Sequence, residues 1–137
     1  MKILIIEDEM TIVDLISFNL KREGFEVDSA YDGVTGLEKA LSGWADLILL
    51  DVMLPKLDGI AVCQRIRENS DVPIIMLTAK SSEADELKGF ELGVDEYISK
   101  PFSPKILVAR VEAVLRHSNA ALTEEVLQAG CIVIDKS

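Results

Sequence analysis

A chain of 137 residues with 49% hydrophobic and 28% charged residues has the length and composition of one globular domain with, at most, a fragment of another, and it excludes disorder, collagen-like repeats and an all-coiled-coil chain. A formal net charge of -10 repels phosphate backbones and anionic lipid, so this piece is a poor candidate for binding nucleic acid or a membrane surface. Cys63 and Cys131 have no paired spacing and His117 is the sole histidine, so neither a disulfide framework nor a zinc site is indicated; with no signal-peptide pattern or membrane-length apolar run, a cytoplasmic location is expected.

In chain order, residues 2–6 form a short apolar run closed by Glu7-Asp8-Glu9, after which Ile12, Leu15, Ile16, Asn19 and Leu20 keep helical spacing as far as Gly24. The alternation recurs in residues 26–30 with Val34, Leu37, Ala40 and Leu41, then in 47–50 with Ile60, Cys63 and Ile66. It continues in 74–77 with Leu87, Phe90 and Leu92, and ends in 94–98 with a helix over 103–117 striped by Ile106, Leu107, Val111, Val114 and Leu115. Runs such as Leu47-Ile48-Leu49-Leu50 and Ile74-Ile75-Met76-Leu77 do not alternate, as expected of strands buried on both faces of a parallel sheet. Five such units predict an α/β, flavodoxin-like, doubly wound fold, (βα)5, with five parallel strands in the order 2-1-3-4-5, five helices and right-handed crossovers. Gly24, Gly43 and Gly93 fall at expected helix ends, Asp58 and Ser103 at expected starts, and Cys63 and Met76 read as core filler. Beyond residue 118 the pattern weakens: 119–127 reads as a linker, and 128–137 contains a β-branched run with no strand partner in reach.

Ligands of open parallel sheets bind outside the carboxyl ends of the strands, so the residues just past each strand belong to one rim. Here they are Glu7 and Asp8, then Asp51, Thr78 and Lys100. Three carboxylates crowded together repel one another unless a cation lies between them, and an oxygen-only donor set suits a hard divalent ion such as Mg2+. With a metal and Lys100 neutralising the pocket, it can hold a phosphoryl group: Asp51 as nucleophile at the end of a wholly buried strand, Lys100 and the Thr78 hydroxyl on phosphoryl oxygens, and an acyl phosphate as product. Taken singly, Glu7-Asp8-Glu9 could be a solvated turn, Asp51 a loop residue, Thr78 a strand-end hydroxyl and Lys100 a surface lysine. Their conjunction at successive strand ends carries the functional reading. Tyr97 is read as sharing the parity of Lys100 on its strand, with a half-buried edge aromatic as the plain alternative.

The segments Ile5-Ile6-Glu7-Asp8-Glu9, Asp51-Val52-Met53-Leu54-Pro55 with Asp58-Gly59, Leu77-Thr78-Ala79, and Tyr97-Ile98-Ser99-Lys100-Pro101-Phe102 resemble the receiver domain of two-component response regulators over residues 1–118. Residues 85–116 are similar to the OmpR/PhoB subfamily of transcription factors. The resemblance implies that Asp51 accepts a phosphoryl group from a phosphohistidine on a sensor histidine kinase. It also implies that Mg2+ is held by Asp8, Asp51 and the backbone carbonyl of Met53, with Glu7 acting through water. Thr78 and Tyr97 would be the switch pair, Lys100 would pair with a phosphoryl oxygen, Lys100–Pro101 would be cis, and the small Ala79 would leave access to the acyl phosphate. The domain would signal rather than act as an enzyme, catalysing only its own phosphorylation and dephosphorylation, and would form a homodimer when phosphorylated. Its dimer face would include Lys88, Asp95, Glu96, Ile106, Arg110 and Arg116. Glu86 and Ile106 depart from the charge pair usual in the subfamily, whereas Glu96 and Arg110 keep another. The tail, 128–137, resembles the first strand of a winged-helix domain that would carry the DNA binding.

Three rivals remain at this level. A small-molecule phosphatase working through an aspartyl phosphate, of the haloacid-dehalogenase kind, would want a second Asp where Met53 stands. A flavodoxin-like cofactor binder would want Ser, Thr and Gly where Glu7-Asp8-Glu9 stand. A pseudo-receiver that only binds protein would not need the intact acidic set.

Overall fold

A computed structural model of the chain describes residues 1–79 and 93–128. The elements run β1 (Lys2–Ile6), α1 (Met10–Arg22), β2 (Glu26–Ala30), α2 (Gly33–Leu41), β3 (Leu47–Asp51), α3 (Gly59–Arg67), β4 (Ile74–Ala79), β5 (Glu96–Lys100) and α4 (Pro104–Gln128). All five strands are parallel, in the order β2-β1-β3-β4-β5. The helix expected around Leu87, Phe90 and Leu92 lies outside the described residues.

The non-alternating strands are buried on both faces because alternate residues enter different cores. Ile3, Ile5, Leu47, Leu49, Ile75 and Leu77 pack with Val13, Ile16 and Leu20 of α1 and Leu107, Val111 and Leu115 of α4. Leu4, Ile6, Ile48, Leu50, Ile74 and Met76 pack on the other face with Ala40 of α2 and Val62, Cys63 and Ile66 of α3. Desolvating these side chains is the main force holding the helices to the sheet.

Three helical faces differ from the periodic reading. On α1, Val13 is buried and Leu15 is exposed; on α4, Ile106 is exposed; on α2, Val34 and Leu41 are exposed and the inner residues are Gly33, Gly36 and Ala40. Glycine gives no hydropathy signal, yet it lets α2 approach closely: a Cβ on Gly36 would come within 2.6 Å of the Ile6 side chain. α4 also continues to Gln128, so residues 119–127, read as a linker, are helical. The good helix formers Ala120, Ala121, Leu122, Glu124, Glu125 and Leu127 support that continuation. Strand β5 starts at Glu96 rather than Val94.

Away from the carboxyl rim, Arg67 at the end of α3 ties the strand starts together. Its Nη1 donates to the carbonyls of Ser70 at 3.2 Å and Val72 at 2.7 Å, its Nε and Nη2 donate to the Gly93 carbonyl at 3.3 and 3.1 Å, and Nη2 lies 3.5 Å from Asp95 Oδ2. That carboxylate also accepts the Ile74 N–H at 2.9 Å. A lysine carries its donors on one nitrogen and cannot span the carbonyls that Nε, Nη1 and Nη2 reach together, so Arg67→Lys is expected to lower unfolding free energy by about 1–3 kcal/mol in a urea titration. An unchanged midpoint would show that the fork contributes nothing.

Candidate functional site

The site lies where β1, β3 and β5 end. Glu7 follows β1 with its N–H bonded to the Ala30 carbonyl at 3.0 Å, which fixes the turn, and its side chain is completely buried. Asp8 is exposed beside it, and Asp51, the last residue of β3, is 2% exposed. One carboxylate oxygen from each of Glu7, Asp8 and Asp51 lies within 4.8 Å of the others. From the end of β5, Lys100 Nζ reaches between the two buried acids, 3.0 Å from Glu7 Oε1 and 3.2 Å from Asp51 Oδ2. The other Asp51 oxygen accepts the Met53 N–H at 3.1 Å, and Glu7 Oε2 accepts the Glu9 N–H at 3.2 Å.

Burial pushes the Glu7 carboxyl up from 4.5 to about 7, and the Asp51 charge adds to the rise, against the Lys100 contact and the Glu9 N–H. Burial pulls the Lys100 ammonium down, but its bond to Glu7 and the charges of Asp51 and Glu7 outweigh that and leave it raised. One ammonium faces three carboxylates. The remaining negative charge and the oxygen-only donors fit a hard divalent cation. Thr78 is fully buried, and its Oγ1 has no hydrogen-bond partner among the described residues. Because Asp51 pairs with Leu77 in the β3–β4 register, Thr78 stands one residue further along at the same sheet end. An unpaired buried hydroxyl is costly unless a ligand or a water satisfies it.

The structure thus brings Glu7, Asp8, Asp51 and Lys100 together and places Thr78 at the same rim. The Lys100–Pro101 peptide is cis, and Met53 is exposed beside Asp51. Tyr97 and Lys100 do not share a face, contrary to the parity reading. They are three positions apart, so strand alternation sends them to opposite sides, and Tyr97 is buried with Met76 and Val94 on the side of α2 and α3.

Of the residues read as a dimer face, Lys88 lies outside the described residues. Asp95 is engaged by Arg67, and Glu96 Oε2 pairs with Arg110 Nη1 of the same chain at 3.1 Å. Ile106 and Arg116 are exposed, Arg116 beside Phe25 and Glu112 and away from that pair. Sequence reasoning passed over Asp32 and Gly33, which meet the loop after Asp51; the one available signal was Asp32 three residues before Thr35, a helix-cap spacing.

Residues 3–112 match the family model described as the response regulator receiver domain. The chain is 53% identical over 121 residues to the alkaline phosphatase synthesis transcriptional regulatory protein PhoP of Bacillus subtilis, covering 88% of this chain and 50% of that protein. It is 45% identical over 140 residues to the uncharacterized transcriptional regulatory protein YclJ of the same organism, covering 99% of this chain and 62% of that protein. The chain therefore spans between half and two thirds of the length of these curated relatives, which are transcriptional regulators, in keeping with the OmpR/PhoB resemblance. Among solved structures, a putative response regulator from Chloroflexus aurantiacus superposes with a TM-score of 0.79 at 35% identity, covering 84% of this chain and 97% of that one. The BeF3-activated DrrB receiver domain gives 0.76 at 36%, covering 84% and 97%. The match of residues 3–112, most of the chain, to the family model, together with these relatives, makes this chain a member of the response regulator receiver domain family.

Proposed function

We propose that this domain is the phosphorylatable input of a transcriptional response regulator, taking a phosphoryl group on Asp51 from a phosphohistidine of a sensor histidine kinase. The observation that carries the reading is the Asp51 carboxylate, nearly buried at a strand end, paired with Lys100 at 3.2 Å and grouped with Glu7 and Asp8. A carboxylate oxygen attacks phosphorus, the phosphorus–nitrogen bond breaks, and its electron pair leaves with the imidazole. Asp8, Asp51 and the Met53 carbonyl would hold Mg2+, with Glu7 acting through water, and the ion would neutralise charge on the transferring group. Lys100 and the unpaired Thr78 hydroxyl then bind phosphoryl oxygens, and Thr78 with Tyr97 transmits the change. The exposed surface of β5 and α4, carrying Glu96, Ile106 and Arg110, is the surface through which a homodimer would form.

The net charge of -10 fits a domain that leaves DNA contact to another part of the protein. No helix among the described residues is long and apolar enough to cross a membrane, and we place the domain in the cytoplasm with its kinase partner.

Acetyl phosphate with Mg2+ should add one phosphoryl mass to the intact protein and shift its sedimentation towards a dimer. Asp51→Asn and chelated samples should stay unmodified and monomeric. Uptake by Asp51→Asn, or uptake indifferent to chelation, would defeat the assignment.

A further inference from the structure

We infer that Gly33, at the first turn of α2, is a positioning residue for the Asp51 site, acting through the loop of residues 52–58; the inference rests on the phosphoacceptor reading above. The Gly33 N–H donates to the Pro55 carbonyl at 3.2 Å. A Cβ at Gly33 would run into the Leu57 carbonyl oxygen and lie 2.8 Å from the Leu57 carbonyl carbon and Cβ. Backbone therefore packs on backbone there, at a separation that only glycine permits.

The residues on either side of this contact hold it in place. Asp32 caps α2, accepting the Thr35 N–H at 2.7 Å and the Thr35 hydroxyl at 3.2 Å, and its Oδ2 lies 3.7 Å from Lys56 Nζ. Lys56 is held at φ 69, the left-handed region that a side chain disfavours, so the loop adopts a conformation that its own sequence does not prefer. The near end of the loop reaches the site directly, since the Met53 N–H binds Asp51 Oδ1 at 3.1 Å. The far end is pinned where the Gly59 N–H meets the Val52 carbonyl at 2.8 Å. A loop held at both ends and pushed in the middle must move Met53, which orients the acceptor carboxylate and whose carbonyl is the expected metal ligand. Among the described residues, the side-chain bonds of Glu7 and Lys100 run to Glu9, to each other and to Asp51, not to Gly33 or this loop.

The test measures Mg2+ affinity by calorimetry and melting temperature side by side. Gly33→Ala is expected to bind Mg2+ about tenfold more weakly or worse, the range found when supports of metal ligands are lost. Gly43→Ala, at the opposite end of α2 with φ 81 and open space around it, serves as the control. It should lose melting temperature through strain alone and keep wild-type Mg2+ affinity. A second pair covers the case in which Gly33→Ala does not fold. Asp32→Ala and Asp32→Asn remove the same charge, but only asparagine can still cap the helix, so affinity should fall with alanine and be restored with asparagine. Wild-type affinity in folded Gly33→Ala, or equal affinities in the two Asp32 variants, would overturn the inference. Failure of the wild type to bind Mg2+ and take up phosphoryl would instead overturn the proposed function.

Discussion

Gly59→Ala is expected to be the most damaging single-methyl change in this domain. Gly59 is the first residue of α3, and a Cβ there would run into the Asp51 carbonyl oxygen and lie 2.6 Å from Val52 Cα and 2.9 Å from the Asp51 carbonyl carbon. These are backbone atoms of β3 and its exit, not the free end of a side chain, so the collision cannot be relieved by a rotamer change. The Gly59 N–H bond to the Val52 carbonyl and the Asp58 cap on the Ala61 N–H hold the helix start in place, so the added methyl has to displace either α3 or the acceptor strand. Overpacking against backbone should cost about 3 kcal/mol or more, a large part of the about 5–15 kcal/mol that stabilises a typical domain. Gly24→Ala is the comparison, because that residue has φ 95 and nothing within 4 Å, so only conformational strain of about 1 kcal/mol is expected. Urea midpoints should rank wild type, Gly24→Ala, Gly59→Ala in falling order. A Gly59→Ala midpoint equal to that of Gly24→Ala would show that β3 or α3 yields to the added methyl at little cost.

That glycine also illustrates what could be read in advance. Strands announce themselves when both faces are buried, because every residue from Leu47 to Leu50 then has to be apolar. Once the strands are placed, an open parallel sheet gathers Glu7, Asp8, Asp51, Thr78 and Lys100 at one end without further assumption. Close backbone approaches leave no such trace: Gly33, Gly36 and Gly59 matter for atoms they lack, and hydropathy assigns the inner face of α2 to larger residues instead. Arg67 is equally silent, since one arginine on a polar helix end looks solvated until the carbonyls it gathers are seen, from the stretch before β4 and the stretch before β5. The length of α4 escaped for a third reason: alanine, glutamate and leucine extend a helix by intrinsic propensity after the amphipathic stripe that predicts helices has ended.

Mg2+ affinity should separate the two adjacent acids at the end of β1. Asp8 is exposed, and its resemblance-assigned role is a direct ligand, so Asp8→Asn should weaken binding by about a hundredfold or more. Glu7 is buried and already holds Lys100 at 3.0 Å, so acting through water it should cost less, about tenfold in Glu7→Gln. The pH dependence should distinguish them as well. Burial holds the Glu7 carboxyl up to about 7, so in the metal-free protein it carries a proton below that value and is ionised above it. A cation favours the ionised form, so binding expels that proton, and affinity should fall as pH drops through about 7 towards the ordinary glutamate range. In Glu7→Gln no proton is available to be expelled, and this part of the pH dependence should vanish while Asp8→Asn retains it. Calorimetric titrations at pH 6 and pH 8, run in buffers of different ionisation enthalpy, read both affinity and protons released. Equal losses in the two variants would remove the distinction between direct and water-mediated ligation, and a pH slope that survives Glu7→Gln would assign the titrating group elsewhere.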